Sequence, residues 1–235
     1  MTPTASRKPL WSRAWFQIAA VLLACAIVYW FRLGTGGLHS TEGHRAIPAY
    51  EILESGDWLV TTMFGQPYLR KPPGMPCAFA ISTLIFGESA WSARAVSALA
   101  ATLMALVALR FARLWFGPAG GLAAALTCAL TPWLLESGRA AEIEALNTLG
   151  TMLAAYGLIH VGVARGSWRA ATVTLLGVVI LTLAKGPASV PLLIGVLAAI
   201  GITTRWRTLA SPKLSAPVIL GFAVFGAVAV AIALR

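Results

Sequence analysis

Seven apolar runs alternate with short polar breaks along the chain, at residues 14–31, 91–114, 119–135, 145–163, 170–184, 187–203 and 216–234. A helix that crosses a bilayer needs about 20 largely apolar residues, with about 17 as the low end. Each run therefore predicts a spanning helix, the shortest of them near that limit. An eighth stretch, 72–87 ("PPGMPCAFAISTLIFG"), opens on prolines, which leaves only about ten residues for a regular apolar helix. So short a run is expected to lie on the outer surface. In the polar region before it, "GHRAIPAYEILESGDW" sets Ile47, Tyr50 and Leu53 on one helical face and turns Glu51 and Glu54 away, with Gly56 placed to end the helix. The pattern predicts an all-α, polytopic membrane protein of about seven transmembrane helices, with amphipathic surface helices in the first outer loop. It divides the chain into a cytoplasmic tail (1–13), a first transmembrane helix (14–33), an outer loop with the candidate site (34–90) and a six-helix transmembrane bundle (91–235).

Composition agrees with a lipid solvent. The chain is 58% hydrophobic and 11% charged, with a mean hydropathy of +0.79. Soluble domains carry about 25% charged residues, so these side chains cannot clothe the surface in water. The net charge of +10 is scattered in small clusters between the apolar runs. Nucleic acid is excluded as a partner, because it needs a basic patch on a soluble face. The clusters read instead as topology signals: Arg7, Lys8 and Arg13, then Arg110/Arg113, Arg165/Arg169 and Arg205/Arg207/Lys213 fall on one side, without an acid among them. All eight acids fall on the other. The positive-inside rule makes the first side cytoplasmic. Cys25, Cys77 and Cys128 lie in or beside apolar segments without CxxC spacing, as packed thiols do. The basic, then oily, N-terminus resembles a secretory signal, but its apolar run continues to Phe31 and predicts a retained helix.

This sidedness gathers ionisable residues from three outer connections. The first supplies His39, Glu42, His44, Arg70 and Lys71; the second supplies Arg139, Glu142 and Glu144; the third supplies Lys185. Singly, each has a plain reading: Lys185 snorkels to the interface, and Glu142 and Glu144 are solvated loop carboxylates. Together they predict a polar pocket at the outer leaflet, where ionisable groups mark partners. Carboxylates act as general bases toward a hydroxyl, and fixed cations stabilise charge on a phosphate. Both at a lipid boundary suit a substrate with a lipid tail and a phosphate head. The prolines beside Lys71 restrict the backbone and lower the entropy lost in pinning its ammonium. His39 and His44 flank Glu42 at a metal-ligand spacing, so a divalent metal stays open as a cofactor, with no metal ligands assigned.

Four motifs follow in order: "TEGHRAIPAYEILESGDWLV", "GQPYLRKPPG", "GRAAEIEALNTLGTMLA" and "LAKGP". In them the chain resembles the membrane-embedded GT-C glycosyltransferases of the protein mannosyltransferase and lipid A aminoarabinose transferase group, over nearly its whole length. The resemblance implies a partial GT-C fold in the inner (plasma) membrane. It also implies inverting transfer of a sugar from a polyprenyl-phosphate donor to a glycan, lipid or protein acceptor on the outer (periplasmic) face, among membrane lipids. By motif it implies Glu42 and Glu144 as catalytic carboxylates and Lys71 against the donor phosphate, with Lys185 on the same rim. Arg139, Arg70, Glu142 and His44 follow as substrate-binding neighbours. The family's first-loop motif reads Asp-Glu; here it is Thr41-Glu42, so either Glu42 takes over as base or the site is altered. Family members run longer, and the chain is expected to be a fragment, an N-terminal half or a reduced relative. A non-catalytic polyprenyl-phosphate-binding protein is the second reading. A transporter is the third, for which paired, interrupted helices are lacking.

Overall fold

The computed structural model describes residues 9–164 and 166–235. Arg7, Lys8 and Arg165, three of the expected cytoplasmic cations, lie outside the described residues. Helix α1 (Ala14–Cys25) runs on through a π-helical turn at Ala26–Trp30. Then come α2 (Gly43–Ser55), a small antiparallel hairpin of β1 (Thr62–Met63) and β2 (Gln66–Pro67), and α3 (Gly74–Phe86). The rest is helical: α4 (Ala90–Ala129), α5 (Pro132–Ser137), α6 (Ile143–Gly162), α7 (Trp168–Lys185), α8 (Val190–Thr203) and α9 (Pro212–Ala233).

Two tight reversals break long helical stretches. In α4, Gly117 takes φ 70° and ψ −170°, a conformation open to glycine, and Pro118 follows without an N–H to continue the helix. The chain folds back there: a Cβ on Gly121 would lie 2.9 Å from the Leu109 carbonyl oxygen. A 3₁₀ turn at Gly186–Ser189 joins α7 to α8, which packs on α6, where a Cβ on Gly162 would lie 2.6 Å from the Ile200 side chain. By length and apolar content, Ala90–Ala129, Trp168–Thr203 and Pro212–Ala233 qualify as membrane spans, with Ala14–Trp30 and Gly74–Phe86 as shorter apolar helices. The first two stretches contain four of the seven expected runs, one on each side of each reversal.

Small residues let the helices approach closely. A Cβ on Gly177 of α7 would fall 2.3 Å from the Ala154 nitrogen of α6, and one on Gly157 would fall 2.6 Å from the Ala170 oxygen. Backbone meets backbone along this seam, as in membrane bundles where lipid supplies no hydrophobic drive between helices. Elsewhere the outward faces stay apolar: Ile219, Leu220 and Val230 of α9 are more than half exposed.

The polar contacts sort themselves to the two ends of the bundle. Among the described residues the four ion pairs, Arg45–Glu142, Arg94–Glu42, Lys185–Glu144 and Arg235–Asp57, all lie at one end. At the opposite end Arg113 donates to the Ser12 carbonyl at 3.0 Å, and Gln17 donates to the Pro118 carbonyl at 2.6 Å. Helix α3 lies across the acid-bearing end. Its Gly74 abuts Leu183 near the end of α7, and its Ser82 hydroxyl donates to the Ser92 carbonyl at the start of α4 at 2.6 Å. Thirteen residues rise only about 20 Å, short of a hydrocarbon core of about 30 Å.

Helix α2 corrects the expected face. Gly56 ends it in the left-handed conformation (φ 72°), but the buried stripe is Ala46, Ala49 and Ile52, not Ile47, Tyr50 and Leu53, which are half-buried. The rotation is about 100°, one residue's worth. Small alanines admit the close approach of α3, and the bulkier trio flanks the contact. Glu51 does not simply face away either: it accepts from the Thr62 hydroxyl and from the Phe64 N–H at 2.6 Å, fastening the β-hairpin to α2.

Candidate active site

The acid-bearing end holds two adjoining concavities. One, of about 670 Å³, is lined by four glutamates (Glu42, Glu136, Glu142, Glu144) interleaved with Arg45, Arg94 and Arg139. The other, of about 350 Å³, is lined by cations and by the apolar face of α9.

The first is built on Glu42 and Arg94. Glu42 ends a 3₁₀ turn (Ser40–Glu42) that leads into α2, and Arg94 sits in the opening turns of α4. Arg94 Nε donates to Glu42 Oε1 at 2.8 Å and Nη2 to Oε2 at 2.9 Å. Its other three N–H groups reach the carbonyls of Leu33, Thr35 and Gly37 at 3.1, 3.0 and 2.9 Å. All five guanidinium donors are used, and the chain between α1 and α2 is wrapped around them. Glu42 also accepts from the backbone N–H of His39 and of Ala141, both at 2.8 Å. Burial alone would raise its carboxyl; the Arg94 and backbone hydrogen bonds and the Arg94 charge override that and hold it at about 2. With 5% of its surface exposed, Glu42 ties three segments together and has no oxygen left over. Glu42, expected as a catalytic base, thus stands with both oxygens engaged, in an arrangement that holds the loop.

Glu142 is arranged differently. Its backbone is clamped by one hydroxyl on α4: Ser97 Oγ donates to the Glu142 carbonyl at 3.1 Å and accepts from its N–H at 3.4 Å. The side chain enters the cleft, where Oε1 accepts the Thr41 hydroxyl and Oε2 stands 3.8 Å from Arg45 Nε. Glu144, in the first turn of α6, pairs with Lys185 Nζ at 2.9 Å across the gap to α7. Trp133 and Glu136, both exposed, complete the rim.

In the second concavity Arg70, Lys71, Pro72 and Pro73 face Lys185 and Gly186 over a floor of Phe225, Val228 and Ile232. Lys71 is half-buried, Arg70 is exposed, and neither makes an ion pair among the described residues. Glu144 lines the cleft, its partner Lys185 lines the groove, and their ion pair forms the wall between.

Of the remaining expected residues, Arg139 touches the cleft, but its guanidinium donates to the carbonyls of Val28 at 2.8 Å, Tyr29 at 3.3 Å and Phe31 at 3.1 Å. It caps the π-helical end of the first helix, where a cation meets the negative end of the dipole. His44, expected as a substrate neighbour, is exposed and stands outside the lining of the cleft. No cluster of three His, Cys, Asp or Glu side chains suited to a metal occurs among the described residues. Sequence reasoning passed over Arg94 and Arg45. Arg94 did leave a signal, as the one charge in an apolar run of α4 ("AWSARAVSALAATLMALVAL"). Arg45, in a polar helix, left none.

Comparison with known proteins places this arrangement. The profile of the dolichyl-phosphate-mannose-protein mannosyltransferase family matches residues 70–230. An undecaprenyl phosphate-alpha-4-amino-4-deoxy-L-arabinose arabinosyl transferase of Pseudomonas savastanoi is 33% identical over 110 residues, 46% of this chain and 21% of the relative. The Pseudomonas aeruginosa protein of the same name is 30% identical over 183 residues, 77% of this chain and 31% of the relative. The crystal structure of ArnT from Cupriavidus metallidurans bound to undecaprenyl phosphate superposes with a TM-score of 0.81 at 20% identity. That superposition covers 95% of this chain and 42% of the crystallised one, and the apo form gives a TM-score of 0.80. The fold is thus that of ArnT, and the chain spans about a third or less of the length of these two curated relatives.

Proposed function

The chain belongs to the dolichyl-phosphate-mannose-protein mannosyltransferase family, and we propose that it serves the transfer of a sugar from a polyprenyl-phosphate donor to an acceptor at the outer face of the membrane. The Glu144–Lys185 ion pair carries the reading, because it sets a cationic, lipid-accessible groove directly beside a carboxylate-lined cleft. The donor's tail follows Phe225, Val228 and Ile232, its phosphate meets Lys71 and Lys185 with Arg70 at the mouth, and its sugar reaches into the cleft. The acceptor oxygen attacks the anomeric carbon from the face opposite the phosphate. The bond from that carbon to the phosphate oxygen breaks, and its electron pair leaves on the phosphate, where the lysines stabilise it. The acceptor's proton passes to a carboxylate of the cleft. Glu42 and Arg94 hold the first loop in place, and Glu144 keeps Lys185 aimed along the wall.

The names of the relatives make undecaprenyl phosphate carrying 4-amino-4-deoxy-L-arabinose the first donor to test, with the mannose-bearing lipid second. The purified protein in lipid nanodiscs is expected to bind undecaprenyl phosphate and to move radiolabelled sugar from it to a lipid or protein acceptor. Binding without transfer would favour the non-catalytic lipid-binding reading; absence of both would end the proposal. Sidedness is tested separately with an impermeant thiol reagent, in a background lacking Cys25, Cys77 and Cys128. Thr62→Cys is expected to label from outside the cell and Arg207→Cys only after permeabilisation, and labelling of both from one side would reverse the assignment.

A further inference from the structure

The short helix α5 divides its side chains between two faces. Pro132 opens it with a fixed φ, and Leu134 and Ser137, three positions apart, turn inward at 5% and 7% exposure. Trp133 and Glu136, also three apart, share the adjoining face, stand exposed and line the acidic cleft. The helix is firmly mounted. A Cβ on Gly138, just past its end, would lie 2.8 Å from the Ala101 Cβ and 2.9 Å from the Tyr29 ring, and the Arg139 guanidinium is tied to the end of the first helix. Glu136 is also the one carboxylate of the cleft that makes no ion pair among the described residues. Arg94 is committed to Glu42, Arg45 to Glu142 and Arg139 to backbone carbonyls, so no cation of the cleft is left to meet it.

A tryptophan at a membrane boundary commonly serves as an interfacial anchor. Trp133 differs in its surroundings, because Glu136, Arg139 and Glu142 line the same cavity. A carboxylate beside an indole favours a cation twice over: the charge attracts it, and so does the negative face of the ring. The same ring face receives the C–H face of a sugar, whose hydrogens carry partial positive charge. We infer that Trp133 and Glu136 form a sugar subsite fitted to a pyranose that bears an ammonium group. The C–H face of the sugar lies on the indole, and the ammonium meets the Glu136 carboxylate. These two residues determine specificity and take no part in bond making. The inference rests on the transfer reading above and deepens it, by assigning the residues that choose an amino sugar over a neutral one. A neutral sugar keeps the stacking and loses the ion pair.

The test measures equilibrium binding of three lipids to the protein in nanodiscs: bare undecaprenyl phosphate, the lipid carrying 4-amino-4-deoxy-L-arabinose, and that glycolipid with its amine acetylated and so neutral. The wild-type protein is expected to bind the amino form about tenfold more tightly than the acetylated form. Glu136→Gln should bring the two within about twofold by weakening the amino form alone, and Glu136→Asp should keep part of the preference. Trp133→Leu should weaken both glycolipids by about fivefold and leave the bare lipid unaffected, with part of the loss recovered in Trp133→Phe. An interfacial anchor would not separate glycolipid from bare lipid. Should Glu136→Gln fail to fold, raised salt gives the same reading on the wild-type protein, because screening of an exposed pair should shrink the preference. An unchanged preference in Glu136→Gln overturns the inference, as does wild-type protein that binds the amino and acetylated forms alike. Either result leaves the groove reading standing while bare undecaprenyl phosphate binds. Failure of that lipid to bind would instead overturn the groove reading, and this inference with it.

Discussion

The acidic cleft and the cationic groove treat charge in opposite ways. In the cleft, Arg94 and Glu42 satisfy each other and the surrounding backbone, with every guanidinium donor engaged. In the groove, Arg70 and Lys71 make no ion pair among the described residues, and Lys185 is joined to Glu144. Charges already matched within the protein hold its loops in place. Charges left open, on a backbone stiffened by Pro72 and Pro73, are available to a ligand. The lesson is that an outer-end carboxylate in this fold cannot be given a chemical role from its motif alone, because Glu42 and Glu142 differ in how completely they are engaged.

The contrast can be broken most forcibly at Arg94. Arg94→Met leaves Glu42 buried without its partner and three carbonyls without donors. A loss of about 3–5 kcal/mol is expected from the pair alone, seen as a collapse of folded yield and of thermal stability in detergent. A variant as stable as the native chain would erase the distinction.

Acid should act on the same pair. The Glu42 carboxyl is held at about 2 against an ordinary 4.5, so its stabilising contribution is complete above the ordinary value and is lost as pH falls through the window between them. Melting temperatures measured from pH 5 downward should fall, and Glu42→Gln should flatten that dependence. In the groove, Lys71→Ala is expected to weaken undecaprenyl phosphate binding by about 10- to 100-fold, the worth of a hydrogen bond to a charged group, while leaving the melting temperature unchanged. A stability loss there would mean that Lys71 belongs with the structural charges after all. The smallest effect is expected at Arg235, whose 2.8 Å pair with Asp57 is exposed (58% and 33%). Arg235→Ala should leave the melting temperature close to that of the native chain, because solvent screens an exposed pair.

The helical segments were legible because hydropathy reads what kind of solvent a segment meets. The break at Gly117-Pro118 and the turn at Gly186-Pro187 announce themselves in residues that cannot continue a helix. The gathering of Glu42, Glu142, Glu144, Lys71 and Lys185 at one end followed from the loop charges. Partnership was not legible. Glu42 and Arg94 are 52 positions apart, and nothing in either neighbourhood says that one closes upon the other. The same holds for Arg139, which reaches back 108 to 111 positions to the end of the first helix. On α2, both Ile47/Tyr50/Leu53 and Ala46/Ala49/Ile52 have helical spacing. The choice between them was settled by how close α3 could come, which is a matter of side-chain volume on a neighbouring helix.

The glycine-lined contact of α6 and α7 has a mechanical consequence. With main chain against main chain at Gly150, Gly157 and Gly177, the two helices behave as one beam that cannot shear. Glu144 and Lys185 are mounted at its tip, so their spacing is set by steric fit far down in the oily shaft. A methyl group inserted at Gly177 would be felt as misalignment at the polar end, without any charged residue having been touched.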